Sequence, residues 1–87
     1  MERTNDKLVA AFAEVLRQRR VAAGLSQEEL AHRADVSTRF VSFLETRRRQ
    51  PTLTAFAALA TGLGMSLSGL ADEVEQQSKS GGESDGD

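Results

Sequence analysis

Residues 25–46 read Leu-Ser-Gln-Glu-Glu-Leu-Ala-His-Arg-Ala-Asp-Val-Ser-Thr-Arg-Phe-Val-Ser-Phe-Leu-Glu-Thr, and this stretch decides the fold. Ser26 stands three residues before Glu29, the spacing of a capping box in which each side chain bonds the other's backbone N–H. Leu30, Ala31 and Ala34 then share one face of a short helix. Ser37 is placed to cap a second helix, roughly Thr38 to Thr46, whose inner positions are Val41 and Leu44. Only Asp35 and Val36 separate the helix from that cap, and Val36 is expected to plug the gap between the two helices.

Outward from this pair the signals remain helical. Leu8, Phe12, Val15, Leu16 and Ala23 recur at helical spacing over about residues 7–23, where Gly24 stops the pattern and Leu25 is placed to fold back onto the core. After the basic run Arg47-Arg48-Arg49-Gln50, Pro51 blocks further helix and Thr52 caps a fourth one. That helix carries Leu53, Phe56, Leu59, Ala60 and Leu63 and ends at Gly62 and Gly64. Ser66 caps a fifth, with Leu67, Leu70 and Val74, fading near Gln77. Residues 1–6 are expected to fray, and residues 78–87, built of Ser, Gly and charged residues, to form a disordered acidic tail. No alternating strand pattern occurs, so the fold class is all-α with five helices and one domain over 7–77. Two short capped helices that cross closely through small and branched residues constitute a helix-turn-helix at about 27–46, which places its second helix in a DNA major groove.

The totals bound the function. Eighty-seven residues make one small domain, with little room for a ligand pocket. There is no cysteine and a single histidine, His32, which excludes disulfides and thiolate metal sites and argues against zinc. No cofactor, no metal and no enzyme activity are expected, because no nucleophile–base pair or phosphate-cradling glycine loop is present. Without an apolar run of about 20 residues, a membrane partner is not expected, and a cytoplasmic location is. The net charge of −2 divides unevenly: residues 1–71 carry ten Lys and Arg against seven Asp and Glu, +3, whereas residues 72–87 carry one Lys against six acids, −5. The basic charge thus belongs to the folded part, and local charge governs attraction to phosphate. Asp72, Glu73 and Glu75 read as a solvated helix face, and Arg19 as a side chain running along the core edge.

From Phe12 to Leu70 the chain resembles the Cro/C1-type, or XRE, helix-turn-helix family. The resemblance rests on Leu16-Arg17, Arg20, Gly24 to Ala31, Val36-Ser37, Val41-Ser42, Leu44-Glu45, Pro51-Thr52-Leu53, Leu59-Ala60, Leu63 to Leu67 and Leu70. It implies a compact five-helix, lambda-repressor-like DNA-binding domain, with helix 38–46 reading double-stranded DNA as a homodimer on near-palindromic operators. A chain this short is similar within the family to the controller proteins of restriction–modification systems. The resemblance also pairs Arg20 with Glu45 as a shielded salt bridge and gives Gln27 a phosphate contact, which suits its position at a helix start. Two departures stand out: Asp35 and Arg47 occupy turn positions where the family usually has glycine, and a left-handed Arg47 would be strained by roughly 1 kcal/mol.

The expected DNA-binding residues are Gln27, Ser37, Thr38, Arg39, Ser42, Phe43, Thr46, Arg47, Arg48, Arg49 and Thr52. Arg39 is the best candidate for base readout, since its planar fork matches guanine O6 and N7, although a phosphate contact would suit it too. Phe43 either presses on a thymine methyl or turns inward, and Phe40 poses the same choice, with at least one expected to be buried. Arg47 to Arg49 are expected on phosphates, while Thr38 and Ser42 reach bases or phosphates. The expected dimer interface is Leu67, Leu70 and Val74. A different class of function, an antitoxin or interaction module holding a protein partner through the same domain, is the alternative.

Overall fold

The computed structural model describes residues 5–83, which form five helices: α1 (Asp6–Ala22), α2 (Gln27–Ala34), α3 (Thr38–Glu45), α4 (Leu53–Gly62) and α5 (Leu67–Glu83). Every start has a polar cap. Asn5 accepts from the Leu8 N–H at 3.0 Å, Ser37 from Phe40 at 3.0 Å, Thr52 from Ala55 at 3.0 Å and Ser66 from Gly69 at 2.9 Å. Ser26 and Glu29 form the reciprocal capping box, and the bonds with Ser26 hold the Glu29 carboxyl below its usual range.

The ends of α1 to α4 repeat one device. A left-handed residue follows each helix, at Gly24, Asp35, Arg47 and Gly64. The next N–H then reaches back along the helix: Leu25 to Arg20, Val36 to Ala31, Arg48 to Phe43 and Met65 to Ala60, all at 2.8–3.1 Å. Such ends commonly place an apolar residue after the left-handed one, against the helix just left. Leu25, Val36 and Met65 do so and pack on the core. Arg48 is the exception and lies over the ring of Phe43 instead.

The core is built from Ala11, Phe12, Val15, Leu16, Leu25, Leu30, Ala31, Ala34, Val41, Leu44, Leu59, Ala60, Leu70 and Val74. Helices α1 and α5 pack together, α2 sits between α3 and α4, and α3 also meets α1. Gly62 is more than a terminator. It is buried and still helical, and a Cβ built there would stand 3.1 Å from Leu30 Cδ1 and 3.3 Å from Arg33 Cβ. The missing side chain lets α4 lie close to α2. Gly62→Val is expected to destabilise the fold by about 1–3 kcal/mol through overpacking. Thermal denaturation checks this, and an unchanged melting temperature would remove the close-approach role.

Four expectations are corrected. Asn5 caps α1 and Asp6 is its first residue, so neither belongs to a frayed end, while residues 1–4 lie outside the described residues. Helix α5 runs past Gln77 through Glu83, so residues 78–83 are helical, and 84–87 lie outside the described residues. Part of the reason is local: Lys79 stands one turn after Glu75, 3.9 Å away, and continues the helical pairing. Arg19 does not run along the core edge but forks onto Glu73 of α5, with Nε 2.7 Å from Oε1 and a second bond from Nη2 to Oε2. These bonds hold the Glu73 carboxyl below its usual range. Finally, Leu70 and Val74 are 0% and 5% exposed, so they do not present a dimer interface of their own. They form the stripe by which α5 joins the core, and of the three expected interface residues only Leu67, 44% exposed, stands outside it. Among the described residues no single helix is long and apolar enough to cross a membrane, and no cluster of three potential metal ligands occurs.

Candidate nucleic-acid interface

Helix α3 is held by its inner side. Val41 and Leu44 are fully buried, three residues apart, which turns Thr38, Arg39 and Thr46 outward as exposed residues and leaves Ser42 and Phe43 half-buried. Directly beyond it, Arg47, Arg48 and Arg49 are all exposed. Eight of the eleven expected DNA-binding residues therefore lie on one contiguous surface, from Thr38 to Arg49, with Ser37 capping its start.

The two remaining residues stand at the starts of the neighbouring helices. Gln27, at the start of α2, donates from Nε2 to Glu45 Oε1 at 3.1 Å, which ties it to the end of α3 and leaves its second amide N–H for another acceptor. Thr52, at the start of α4, accepts the Ala55 N–H, so its own hydroxyl proton remains for a phosphate, as does that of Ser37. Thr46 differs: its hydroxyl donates to the Ser42 carbonyl at 2.8 Å, which leaves it as an acceptor only and disfavours a phosphate contact.

Arg20 and Glu45 anchor this surface from below. Arg20 Nε and Nη2 donate to the two Glu45 oxygens at 2.7 and 3.0 Å, and Nη1 donates to the Leu25 carbonyl at 2.8 Å. The side chains are only 14% and 4% exposed. One ion pair thus joins α1, the turn before α2, and the end of α3, while Gln27 adds a third donor to the same carboxylate.

Three of the four arginines are ordered by aromatic rings. The Arg48 and Arg39 guanidiniums lie 5.0 and 5.8 Å from the centroid of Phe43, and that of Arg49 lies 5.6 Å from Phe40. Neither phenylalanine is fully buried, contrary to the expectation for at least one, because the narrow inner face of α3 is filled by Val41 and Leu44. Phe40 packs against the core, whereas Phe43 lies outside it. The i, i+4 spacing of Arg39 and Phe43 is a sequence signal for their contact, but the approach of Arg48 and Arg49 depends on the turn at Arg47.

Arg47 itself has φ +65°. A left-handed arginine is strained, so Arg47→Gly is expected to raise stability by up to about 1 kcal/mol while weakening attraction to phosphate. Urea denaturation checks the first effect, and a loss of stability would show that the guanidinium contributes more than the strain removes.

A helix-turn-helix family model matches residues 16–70, about two thirds of the chain and all of α2, α3 and α4. The chain belongs to the XRE-type helix-turn-helix family. DNA binding and transcription regulation come with that membership. Solved structures agree on the fold. The clp gene regulator ClgR from Corynebacterium glutamicum is similar at 26% identity and a TM-score of 0.82, covering 90% of this chain and 83% of ClgR. The restriction–modification controller protein C.Esp1396I is similar at 21% identity and a TM-score of 0.75, covering 80% of this chain and 90% of that one. Its tetramer in complex with its natural 35 base-pair operator aligns at 21% identity and a TM-score of 0.76, covering 82% and 93%. No curated protein matches. Within this helix-turn-helix domain, Asp35 in the inter-helix turn takes φ +58°, so the turn keeps its left-handed geometry without glycine.

Proposed function

We propose that this helix-turn-helix protein is a sequence-specific regulator that binds double-stranded DNA with α3 in the major groove, as a homodimer on a near-palindromic operator. The observation that carries this reading is the single outward surface from Thr38 to Arg49, basic and polar apart from Phe43, on a helix pinned from behind by Val41, Leu44 and the Arg20–Glu45 pair. In that pose Arg39 reaches base edges, and Arg47 to Arg49, Ser37, Thr52 and Gln27 meet phosphates on either side. The operator complex of C.Esp1396I supports the same use of the fold.

Self-association has its own support. Leu67 is exposed at the start of α5, and an apolar groove of about 490 Å³ lies among α1, the segment leading into α4, and α5, lined among others by Leu8, Phe12, Pro51, Phe56 and Ala71. A second copy covering this side would leave α3 free, and two-fold symmetry would set two recognition helices one DNA turn apart, about 34–36 Å. Selection of bound sequences from random duplex DNA tests the reading. A palindrome with half-site centres about 10 base pairs apart is expected. Recovery of no preferred sequence would overturn it, and a monomer in sedimentation at tens of micromolar would remove the homodimer.

A further inference from the structure

We propose that Phe43 is a specificity-determining residue: it receives the methyl group of a thymine within two base pairs of the guanine that Arg39 reads. The proposal rests on the reading of α3 as the major-groove helix and specifies what that helix selects.

Phe43 is the one large apolar side chain on the outward side of α3 that takes no part in the core. Its position is doubly set. Its carbonyl accepts the Arg48 N–H at 2.8 Å and the Arg49 N–H at 3.3 Å, closing the helix end. Its ring carries the guanidiniums of Arg48 at 5.0 Å and Arg39 at 5.8 Å. Where three other helix ends place an apolar residue on the helix just left, α3 places Arg48 on this ring. Phe43 thereby couples a base-reading arginine to a backbone-reading one.

The distance limits what the ring meets. Successive bases on a strand rise 3.4 Å, so a ring centred 5.8 Å from the Arg39 guanidinium faces a base no more than two steps from that arginine's partner. Among the major-groove edges of the four bases, only thymine offers an apolar group, its C5-methyl. The purine edges would set a hydrogen-bonding atom against hydrocarbon, stripped of water and unpaired, and cytosine presents there only a C5–H with less apolar surface than the methyl. The half-buried ring, next to the short side chain of Ser42, therefore favours thymine at that place.

Deoxyuridine tests this, because it differs from thymine there only by the missing methyl. The operator recovered by selection is first bound to Arg39→Ala, which identifies the guanine whose replacement no longer matters. Each thymine within two base pairs of it is then replaced by deoxyuridine. One replacement is expected to weaken wild-type binding about fourfold, the scale of one buried methyl group, and to leave Phe43→Ala unaffected. A scan on the wild-type protein alone keeps the test valid should Phe43→Ala fold poorly. No thymine in that window, no loss with deoxyuridine at any of them, or equal sensitivity in Phe43→Ala overturns the proposal. Failure to enrich any sequence at the outset instead overturns the DNA-reading assignment, so the two failures are distinct.

Discussion

Glu45→Ala is expected to lower the melting temperature by roughly 10–20 °C, from about 2–3 kcal/mol of destabilisation at about 4–8 °C per kcal/mol for a domain of this size. The substitution removes a carboxylate that accepts two bonds from Arg20 and one from Gln27, at 2.7, 3.0 and 3.1 Å. What remains is a guanidinium in a pocket that leaves it 14% exposed, with the Leu25 carbonyl as its remaining partner. Breaking a buried pair by taking one member costs about 3–5 kcal/mol, and partial exposure of Arg20 reduces that to about 2–3 kcal/mol. Replacing both members by apolar residues, Arg20→Met with Glu45→Leu, is expected to recover much of the loss, because no uncompensated charge is left. Calorimetry on Glu45→Ala and the double variant checks both effects. An unchanged midpoint in Glu45→Ala would show that the pair orders the end of α3 without adding stability.

The second large effect concerns DNA. Changing Arg47, Arg48 and Arg49 together to glutamine is expected to reduce the magnitude of the salt slope of binding, d log K/d log [salt], by about 2.7, close to 0.9 for each phosphate that is no longer neutralised. Affinity should fall nearly uniformly across sequences, since phosphate contacts position the protein without reading bases. Arg39→Ala should behave in the opposite way, removing about 1–3 kcal/mol of discrimination at one base pair with little effect on non-specific binding. Fluorescence anisotropy at several salt concentrations separates the two. A triple variant with an unaltered slope would place the basic run away from the backbone, and circular dichroism on it confirms that the change lies in binding. Arg48 and Arg49 also stack on Phe43 and Phe40, so part of the weakening comes from releasing those rings.

Much of this protein follows from rules that act within one helical turn. Ser26, Ser37, Thr52 and Ser66 cap the helices that their spacing implies, because a hydroxyl reaches a backbone N–H three residues on. Gly24 and Gly64 stand at left-handed positions, and so does Arg47, whose strain is legible from the family pattern. The inward positions of Val41 and Leu44 are legible in the sequence, and the DNA-facing residues follow from them.

Other features need the packed molecule. Periodicity marks Leu67, Leu70 and Val74 as apolar but does not say whether their stripe meets a second copy or α1 of the same chain. The structure assigns Leu70 and Val74 to the core. Gly62 reads as a helix stop in the sequence, and only the proximity of α2 explains its missing side chain. Residues 78–83 continue α5 although they carry no apolar residue, because helix propagation does not require one.

By itself, then, the sequence determined that there are five helices, the caps of α2 to α5, the turns between them, and the face α3 turns outward. These depend on hydrogen bonds and side chains within a turn or two of one another. Only the tertiary structure decided which surfaces meet, from the Arg19–Glu73 fork across 54 residues to the close approach of α4 to α2 at Gly62. The physical reason is that a contact between distant elements depends on how all the helices pack at once, and no local pattern carries that information.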